Sequence, residues 1–265
     1  MSDSAKKPSL SDLRREIDGI DAELMALFER RLLYVEQIGA IKRQEAKPIE
    51  DKAREKQILA QKMKLLETES YKQYAEFFFN SIFTASKALQ RAMQNFYLIG
   101  MPLSGKSTLA KQLSQATGIP FVDTDAEIVR ITGNTIEEIF ENEGEEAFRE
   151  YERQALEEAA YEGQLIVATG GGALTYKDNA RLLKASGKCI FIDKPLNELL
   201  EAYQNDNVGR PLIKDASDIE KLYYERIIAY RTTADMIYST KEPFSKLLSY
   251  VHDCIKSNSL PKTDF

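Results

Sequence analysis

The sequence predicts two domains of different class: an all-helical N-terminal domain of three helices, and a C-terminal α/β domain with a five-stranded parallel sheet flanked by helices. Two observations predict this fold class. Residues 10–93 show helical apolar spacing, and no segment among them has the pattern of a strand. From residue 95 onward, short apolar runs alternate with helical stretches, which is typical of strand–helix–strand units in a parallel sheet.

The predicted boundary between the two domains lies near Met93–Asn95. It separates a helical domain at residues 10–93 from an α/β domain at residues 95–256, and the polar segments 1–9 and 257–265 are expected to be disordered. No Gly- or Ser-rich linker lies at the boundary, so the last helix is expected to lead almost directly into the first strand. Such a short junction gives the hypothesis that a ligand of one domain changes the activity of the other.

Composition and charge exclude several classes of partner. The formal net charge of -6 argues against nucleic-acid binding by bulk electrostatics, and no apolar run is long enough to span a bilayer. The N-terminus lacks the apolar core of a signal peptide, and two cysteines cannot form a disulfide framework, so we expect a cytoplasmic protein. The sole histidine, His252, has no metal-ligand spacing around it and is expected at the surface.

The first predicted helix carries an apolar seam with coiled-coil spacing. Its apolar positions repeat at alternating four- and three-residue steps, at Leu13, Ile17, Ile20, Leu24 and Leu27. The same rhythm continues through Arg31 and Lys42, which places two cations where burial is expected. Because an unpaired buried charge is costly, we expect both to face an anion or a carboxylate of a partner.

Two further helices complete the predicted N-terminal domain, one after Pro48 and one rich in phenylalanine that ends near residue 93. Their polar side chains are Asp51, Arg54, Glu55, Ser86 and Gln90. Polar groups that converge inside a helical bundle indicate an anion pocket. One alternative remains open: a dimerising helical hairpin that tolerates charges in its seam.

On these positions, residues 10–93 resemble the all-helical type of chorismate mutase. The resemblance implies rearrangement of chorismate to prephenate in a homodimer formed through the N-terminal helices. Arg31 would hold one of the two carboxylates, and Arg14 of the partner subunit would hold the other. Lys42 and Gln90 would hydrogen-bond the ether oxygen. The catalytic residues implied are Arg31, Lys42 and Gln90. The other chorismate-binding residues implied are Asp51, Arg54, Glu55 and Ser86. A second alternative also remains open, in which the pocket senses chorismate or prephenate without turnover.

The α/β domain begins with a phosphate-binding motif. The segment Gly100–Thr108 reads G-x-x-x-x-G-K-S-T and follows an apolar run, as a strand–loop–helix phosphate site requires. In such a loop Lys106 neutralises phosphate charge and Ser107 can ligate Mg²⁺. The five predicted strands are Phe96–Ile99, Pro120–Val122, Leu165–Ala168, Cys189–Ile192 and Met236–Tyr238.

Further motifs follow in order along the α/β domain. The second predicted strand ends at Asp123–Asp125, and the third ends at Thr169–Gly172. Arginines follow in a helical segment, a polar loop and a last helix, which are Gly144–Arg149 with Glu152, Gly209–Leu212, and Glu225–Arg226 with Tyr230. Ligands of parallel sheets bind at the carboxyl ends of the strands. Arginine guanidinium groups can bind the carboxylate of a ligand, and an aspartate carboxylate can bind its hydroxyl groups. These residues would therefore fit a small hydroxy acid as the phosphoryl acceptor.

This set of motifs resembles shikimate kinase over about residues 96–255. The resemblance implies ATP-dependent phosphorylation of shikimate, with Lys106 and Asp125 as catalytic residues and Asp125 as candidate base. Implied ATP-binding residues are Gly100, Ser104, Gly105, Lys106, Ser107, Thr108 and the lid residue Arg210. Implied shikimate-binding residues are Asp125, Arg149, Gly171, Gly172 and Arg226. Implied Mg²⁺ ligands are Ser107 and Asp123, the latter mainly through water.

Several interpretations compete with this one. Asp125 could be a helix N-cap, Arg149 and Glu152 could form a solvated helical pair, and Gly170–Gly172 could be only a turn. Leu103 stands where the family usually has glycine, and Tyr203 where many members carry a lid arginine. The alternative function is a kinase of another small hydroxy acid, similar to gluconate kinase, that is regulated or dimerised by the N-terminal half.

Overall fold

The structure is a computed structural model that describes residues 8–205, 212–213 and 215–258. Its N-terminal helical domain contains three α-helices. They are α1 (Leu10–Gln44), α2 (Lys52–Met63) and α3 (Lys72–Ala92). Ser9 caps α1 with a capping box: the Ser9 side chain accepts from the backbone N–H of Asp12, and the Asp12 carboxylate accepts from the backbone N–H of Ser9. The predicted three-helix domain is confirmed.

The α/β domain is built on five parallel strands, β1 (Asn95–Ile99), β2 (Phe121–Asp123), β3 (Ile166–Ala168), β4 (Gly187–Asp193) and β5 (Met236–Ser239). The strands lie in the order β2–β3–β1–β4–β5, and every neighbouring pair is parallel. The flanking helices are α4 (Lys106–Thr117), α5 (Thr124–Thr132), α6 (Ile136–Asn142), α7 (Gly144–Glu162), α8 (Asn179–Ser186), α9 (Leu196–Gln204), α10 (Ala216–Thr233) and α11 (Phe244–Asn258). The predicted five-stranded parallel sheet is confirmed.

Apolar side chains cover both faces of this sheet. On one face Tyr97 and Val167 pack with Leu156 of α7, and on the other Leu98 packs with Leu113 of α4. Side chains alternate between the faces along each strand, so a sheet with helices on both sides buries every strand position at its centre. The central strand β1 is fully buried, and its carboxyl end opens between its neighbours β3 and β4, where a ligand can enter.

The two domains meet without a spacer. Only Met93 and Gln94 separate α3 from β1, and the C-terminal part of α1 packs against α7 and α8 of the α/β domain. The N-terminal part of α1 leaves its apolar seam exposed in the single chain, with Ile17 at 55% and Leu27 at 61% exposure. None of the helices within the described ranges combines the length and apolar character of a bilayer-spanning segment.

Candidate active sites

The phosphate-binding loop follows β1 and leads into α4. Gly100 has a φ of +146°, and a Cβ there would lie 2.8 Å from the carbonyl oxygen of Ile192, so only glycine fits. Gly105, with a φ of +90°, is the N-cap of α4. The N-terminus of α4 therefore points its free backbone N–H groups at the loop, which is an arrangement that binds phosphate.

Lys106 lies buried along this loop. Its Nζ donates to the carbonyl oxygens of Gly100 at 3.0 Å and Met101 at 2.8 Å, which holds the ammonium group beside the loop backbone. Leu103 adopts a φ of +67°, a left-handed conformation that costs a residue with a side chain about 1–2 kcal/mol. Lys194 donates from Nζ to the Leu103 carbonyl oxygen at 3.2 Å, so the loop keeps the glycine-like backbone despite the leucine.

Asp123 and Ser107 form the second part of the phosphate site. Ser107 donates from Oγ to Oδ2 of Asp123 at 2.5 Å, and Asp123 Oδ1 accepts from the backbone N–H groups of Asp125 and Ala126. Asp123 is therefore the N-cap of α5, and the alternative that Asp125 is the cap is wrong. The capping contact places Asp125 in the first turn of α5, where it lines the neighbouring clefts.

Two clefts meet at this edge of the sheet. The phosphate cleft, of about 280 Å³, lies over Gly105–Thr108, and the acceptor cleft, of about 400 Å³, is bordered by Arg149 and Arg226. Pro102, Asp125 and Gly171 line both. A ligand in the acceptor cleft would therefore lie directly beside a phosphate bound at the loop.

Arg149 and Glu152 form a buried ion pair on α7. Nη1 of Arg149 lies 2.9 Å from Oε2 of Glu152, and the two side chains are only 7% and 0% exposed. Glu145, which is half-exposed, accepts a second contact from Arg149 at 3.0 Å. The alternative of a solvated helical pair is wrong, because Arg149 is held at the wall of the cleft by a carboxylate without access to water.

The three consecutive glycines after β3 make room for these side chains. A Cβ would lie 2.1 Å from Glu152 Oε1 at Gly170, 2.6 Å from Pro102 at Gly171 and 2.4 Å from Arg149 Nη1 at Gly172. A side chain at any of them would collide with the cleft wall. The alternative that Gly170–Gly172 is only a turn is therefore wrong.

Helix α10 supplies the opposite wall of the acceptor cleft. Arg226 is buried at 6% exposure, and Tyr230, one turn further on, donates from its hydroxyl to the carbonyl oxygen of Gly171. Tyr203 lies in the last turn of α9 and packs against the apolar core on that side of the sheet, so it is not a lid cation. Arg210, the predicted lid residue, lies outside the described residues.

In the helical domain, both predicted seam cations make a direct hydrogen bond. Arg31 donates from Nη1 to Oγ of Ser86 at 2.5 Å, which joins α1 to α3. Lys42 donates from Nζ to the carbonyl oxygen of Ile49 at 2.9 Å. A single chain does not bring Arg14 and Arg31 together, because Arg14 lies 17 positions before Arg31 on α1, about 25 Å away by helix rise.

The remaining predicted residues of the helical domain surround this contact. Asp51 is the N-cap of α2 and accepts from the backbone N–H of Arg54, whose side chain donates to Gln57. Glu55 accepts from Lys87 of α3 at 3.2 Å. Gln90 is buried at 7% exposure between α3 and α1. The structure thus brings Arg31 and Ser86 together and leaves Arg54 exposed.

Comparison with known proteins identifies the larger domain. The family model of shikimate kinase matches residues 102–256. The chain belongs to the shikimate kinase family. Shikimate kinase from Clostridium beijerinckii is 40% identical over 161 residues, which cover 60% of this chain and 94% of that protein. A solved structure, shikimate kinase from Acinetobacter baumannii in complex with shikimate, matches with a TM-score of 0.57 and 34% identity, over 64% of this chain and 96% of that chain.

The same comparison identifies the helical domain. The family model of chorismate mutase type II matches residues 13–91. The shikimate kinase domain is thus preceded by a chorismate mutase domain in the same chain, as the sequence predicts.

Glu152 lines the acceptor cleft, although the sequence alone assigns it no role of its own. The sequence shows that Glu152 lies one turn after Arg149. It does not show that Glu152 is buried, because this burial depends on Gly170 and on the packing of α7 against the sheet. Burial raises the pKa of Glu152 to about 6, although the Arg149 guanidinium opposes this shift. The carboxylate is therefore ionised near neutral pH, where it orients Arg149.

We expect this raised pKa to appear in the stability of the shikimate kinase domain. The ordinary pKa of 4.5 is raised to about 6 on folding, so the folded chain binds the proton more tightly. The free energy of unfolding then falls as pH rises through this window, by a contribution on the order of 2 kcal/mol. Chemical denaturation between pH 4.5 and 7.5 should show this fall in the parent and not in Glu152→Gln. Identical pH profiles for the two proteins would contradict the assignment.

Proposed function

We propose that this chain is a bifunctional enzyme of aromatic amino-acid biosynthesis. Its α/β domain transfers the γ-phosphoryl group of ATP to shikimate, giving 3-phosphoshikimate, and its helical domain rearranges chorismate to prephenate. The observation that carries the kinase assignment is the pair of clefts that share Asp125 and Gly171, with two buried arginines facing the acceptor side. A kinase of another hydroxy acid is not favoured, because the relatives that match this domain are shikimate kinases.

Positioning and charge neutralisation account for most of the kinase chemistry. Arg149 and Arg226 hold the shikimate carboxylate, since guanidinium groups bind carboxylates through paired hydrogen bonds. Asp125 accepts a hydrogen bond from the acceptor hydroxyl and takes its proton as the new P–O bond forms and the bond between the γ-phosphorus and ADP breaks. Lys106 and the N–H groups at the start of α4 stabilise the charge on the transferring phosphoryl group.

The phosphate cleft also fits Mg²⁺. Hydroxyl and carboxylate oxygens are the donors that Mg²⁺ prefers, and Ser107 Oγ and Asp123 Oδ2 lie 2.5 Å apart at the start of α4. We propose that Ser107 holds the ion directly and that Asp123 holds it mainly through water. The ion would neutralise charge on the β- and γ-phosphates.

The mutase reaction requires a pocket and neither a nucleophile nor a cofactor. Chorismate rearranges within one molecule, so the enzyme holds the dianion in its compact form and stabilises the charge that grows on the ether oxygen. We propose that Arg31 binds one carboxylate and that Lys42 and Gln90 donate to the ether oxygen. Arg54 and Ser86 support the carboxylates, and Glu55 with the backbone of Asp51 binds the ring hydroxyl.

We propose a homodimer formed through the α1 helices. The exposed apolar seam of α1 supports this assembly, because Leu13, Ile17 and Leu24 are each 45% exposed or more in the single chain. In the dimer, Arg14 of the partner subunit would complete the pocket around Arg31. We place the protein in the cytoplasm, where ATP is supplied and where two free cysteines stay reduced.

A substrate screen tests the proposed function directly. Purified full-length chain with ATP and Mg²⁺ is offered shikimate and gluconate separately, and the products are followed by ³¹P NMR. We expect a phosphomonoester signal with shikimate and none with gluconate. Chorismate offered to the same preparation should be converted to prephenate. Preferential phosphorylation of gluconate would overturn the kinase assignment, and unchanged chorismate would overturn the mutase assignment.

A further inference from the structure

Arg43, at the end of α1, reaches out of the helical domain and into the kinase domain. Its side chain is almost completely buried, at 2% exposure. Nε donates to the carbonyl oxygen of Ala160 at 2.8 Å, and Nη2 donates to those of Tyr161 at 2.8 Å and Glu162 at 3.3 Å. Within the described part of the chain, no acidic side chain forms an ion pair with this guanidinium. Its charge is balanced by backbone carbonyls alone.

These carbonyls are the last ones of α7. The final four carbonyls of a helix have no partner inside the helix, and they carry the negative end of its dipole. Asn95 Nδ2 donates to the carbonyl oxygen of Ala159 at 2.7 Å, and Arg43 donates to the next three carbonyl oxygens. The last turn of α7 contains no basic residue of its own. The helical domain therefore supplies the cation that completes this end of α7.

The same helix carries the shikimate-site ion pair. Arg149 and Glu152 lie in the first half of α7, and Glu162 lies 13 positions after Arg149, about 20 Å along the helix. A helix moves as a nearly rigid rod, so a shift at its carboxyl end changes the position of Arg149 at the acceptor cleft. Small errors in the position of a substrate-binding group are costly for catalysis.

Gln90 meets Arg43 on the side of the helical domain. A Cβ at Gly39 would lie 3.0 Å from Gln90 Cγ and 3.4 Å from Arg43 Nη1, so the two side chains converge over this glycine. Among the described residues, Arg43 Nη1 and Gln90 Oε1 are buried without a hydrogen-bond partner. Arg43 Nη1 is a donor and Gln90 Oε1 is an acceptor, so a hydrogen bond between them would remove the free-energy cost of leaving both buried without a partner.

We propose that Arg43 is a positioning residue for the kinase reaction and that Gln90 links it to the mutase pocket, an inference that rests on the proposed function of both domains. A ligand that accepts from the amide N–H of Gln90 fixes this side chain, which leaves Oε1 as the acceptor for Nη1 of Arg43. Occupancy of the mutase pocket then holds the guanidinium and the carboxyl end of α7 in place. We expect tighter shikimate binding as a result, and by linkage tighter binding at the mutase pocket when shikimate is present.

Steady-state kinetics of full-length Arg43→Met test the positioning role. We expect KM for shikimate to rise about fivefold or more, with KM for ATP nearly unchanged, because α7 lines the acceptor cleft and not the phosphate cleft. Arg15→Met is the matched control, since Arg15 is on the same helix and its side chain is 78% exposed. Arg43→Lys keeps the charge but loses the planar set of guanidinium donors, so we expect a smaller rise in KM for shikimate. This variant also provides the comparison if Arg43→Met does not fold.

Two outcomes would overturn the positioning role. One is a shikimate KM for Arg43→Met and Arg43→Lys equal to that of Arg15→Met. The other is an equal rise of KM for both substrates, which would indicate a general loss of structure.

Prephenate is the probe for the link through Gln90. Saturating prephenate should lower KM for shikimate in the parent about fivefold and leave Arg43→Met unaffected. An unchanged KM in the parent would overturn the link. Conversion of chorismate by the same preparation is measured in parallel, so that a failed mutase assignment is distinguished from a failed link.

Discussion

Lys106→Met is expected to lower kcat for shikimate phosphorylation by about 10²- to 10³-fold and to leave prephenate formation unchanged. The Lys106 ammonium lies beside the phosphate loop, held by the carbonyl oxygens of Gly100 and Met101. Phosphoryl transfer is accelerated mainly by placing positive charge where negative charge gathers on the transferring group. Methionine retains most of the buried volume and removes that charge.

Both activities of this variant are measured on one preparation, which separates a local effect from misfolding. Lys184→Met is the control, because Lys184 is an exposed lysine on α8 of the same domain. We expect the control to phosphorylate shikimate at the parent rate. A Lys106→Met protein that keeps the parent kcat would contradict the assignment of the phosphate site.

Arg31→Ala is expected to lower kcat/KM for prephenate formation by about 10²- to 10³-fold, while shikimate phosphorylation stays unchanged. Arg31 is half-buried between α1 and α3, and within the described residues its side chain hydrogen-bonds only to a neutral hydroxyl, Ser86 Oγ. Its charge is therefore available to a ligand carboxylate. Alanine removes that charge from a pocket that must hold a dianion.

The control for this variant is Arg30→Ala, since Arg30 precedes Arg31 on α1 and is exposed. Size-exclusion chromatography with light scattering should find the same dimer for the parent and Arg31→Ala, because the seam of α1 is apolar and lies before residue 31. If Arg31→Ala and Lys42→Ala both convert chorismate as fast as the parent, the helical domain is not a mutase.

Local sequence patterns were sufficient to predict the fold class and the phosphate site. The five apolar runs became the five strands, and the central strands β3, β1 and β4 are largely buried, as expected for parallel strands covered by helices on both faces. The segment Gly100–Thr108 folds as the motif requires, since Gly100 and Gly105 occupy positions that demand glycine. These features depend on neighbours in the chain, so spacing alone reveals them.

Features that depend on tertiary contacts could not be predicted in this way. The sequence offers Asp125 as a possible helix N-cap, and only the start of α5 at Thr124 shows that Asp123 fills this role. The burial of Glu152 depends on the space left by Gly170. The sequence assigns no role to Arg43, because its partners lie more than one hundred positions further along the chain.

We propose that this one chain binds anions at two separate places, the phosphate loop and the helical domain. A crystal structure of the full-length protein with ADP, shikimate and a chorismate-like dicarboxylate tests it most directly. We expect the nucleotide phosphates against Gly105–Ser107, the shikimate carboxylate between Arg149 and Arg226, and the dicarboxylate against Arg31. Nucleotide bound elsewhere, or Arg31 directed into bulk water with no ligand beside it, would contradict the claim.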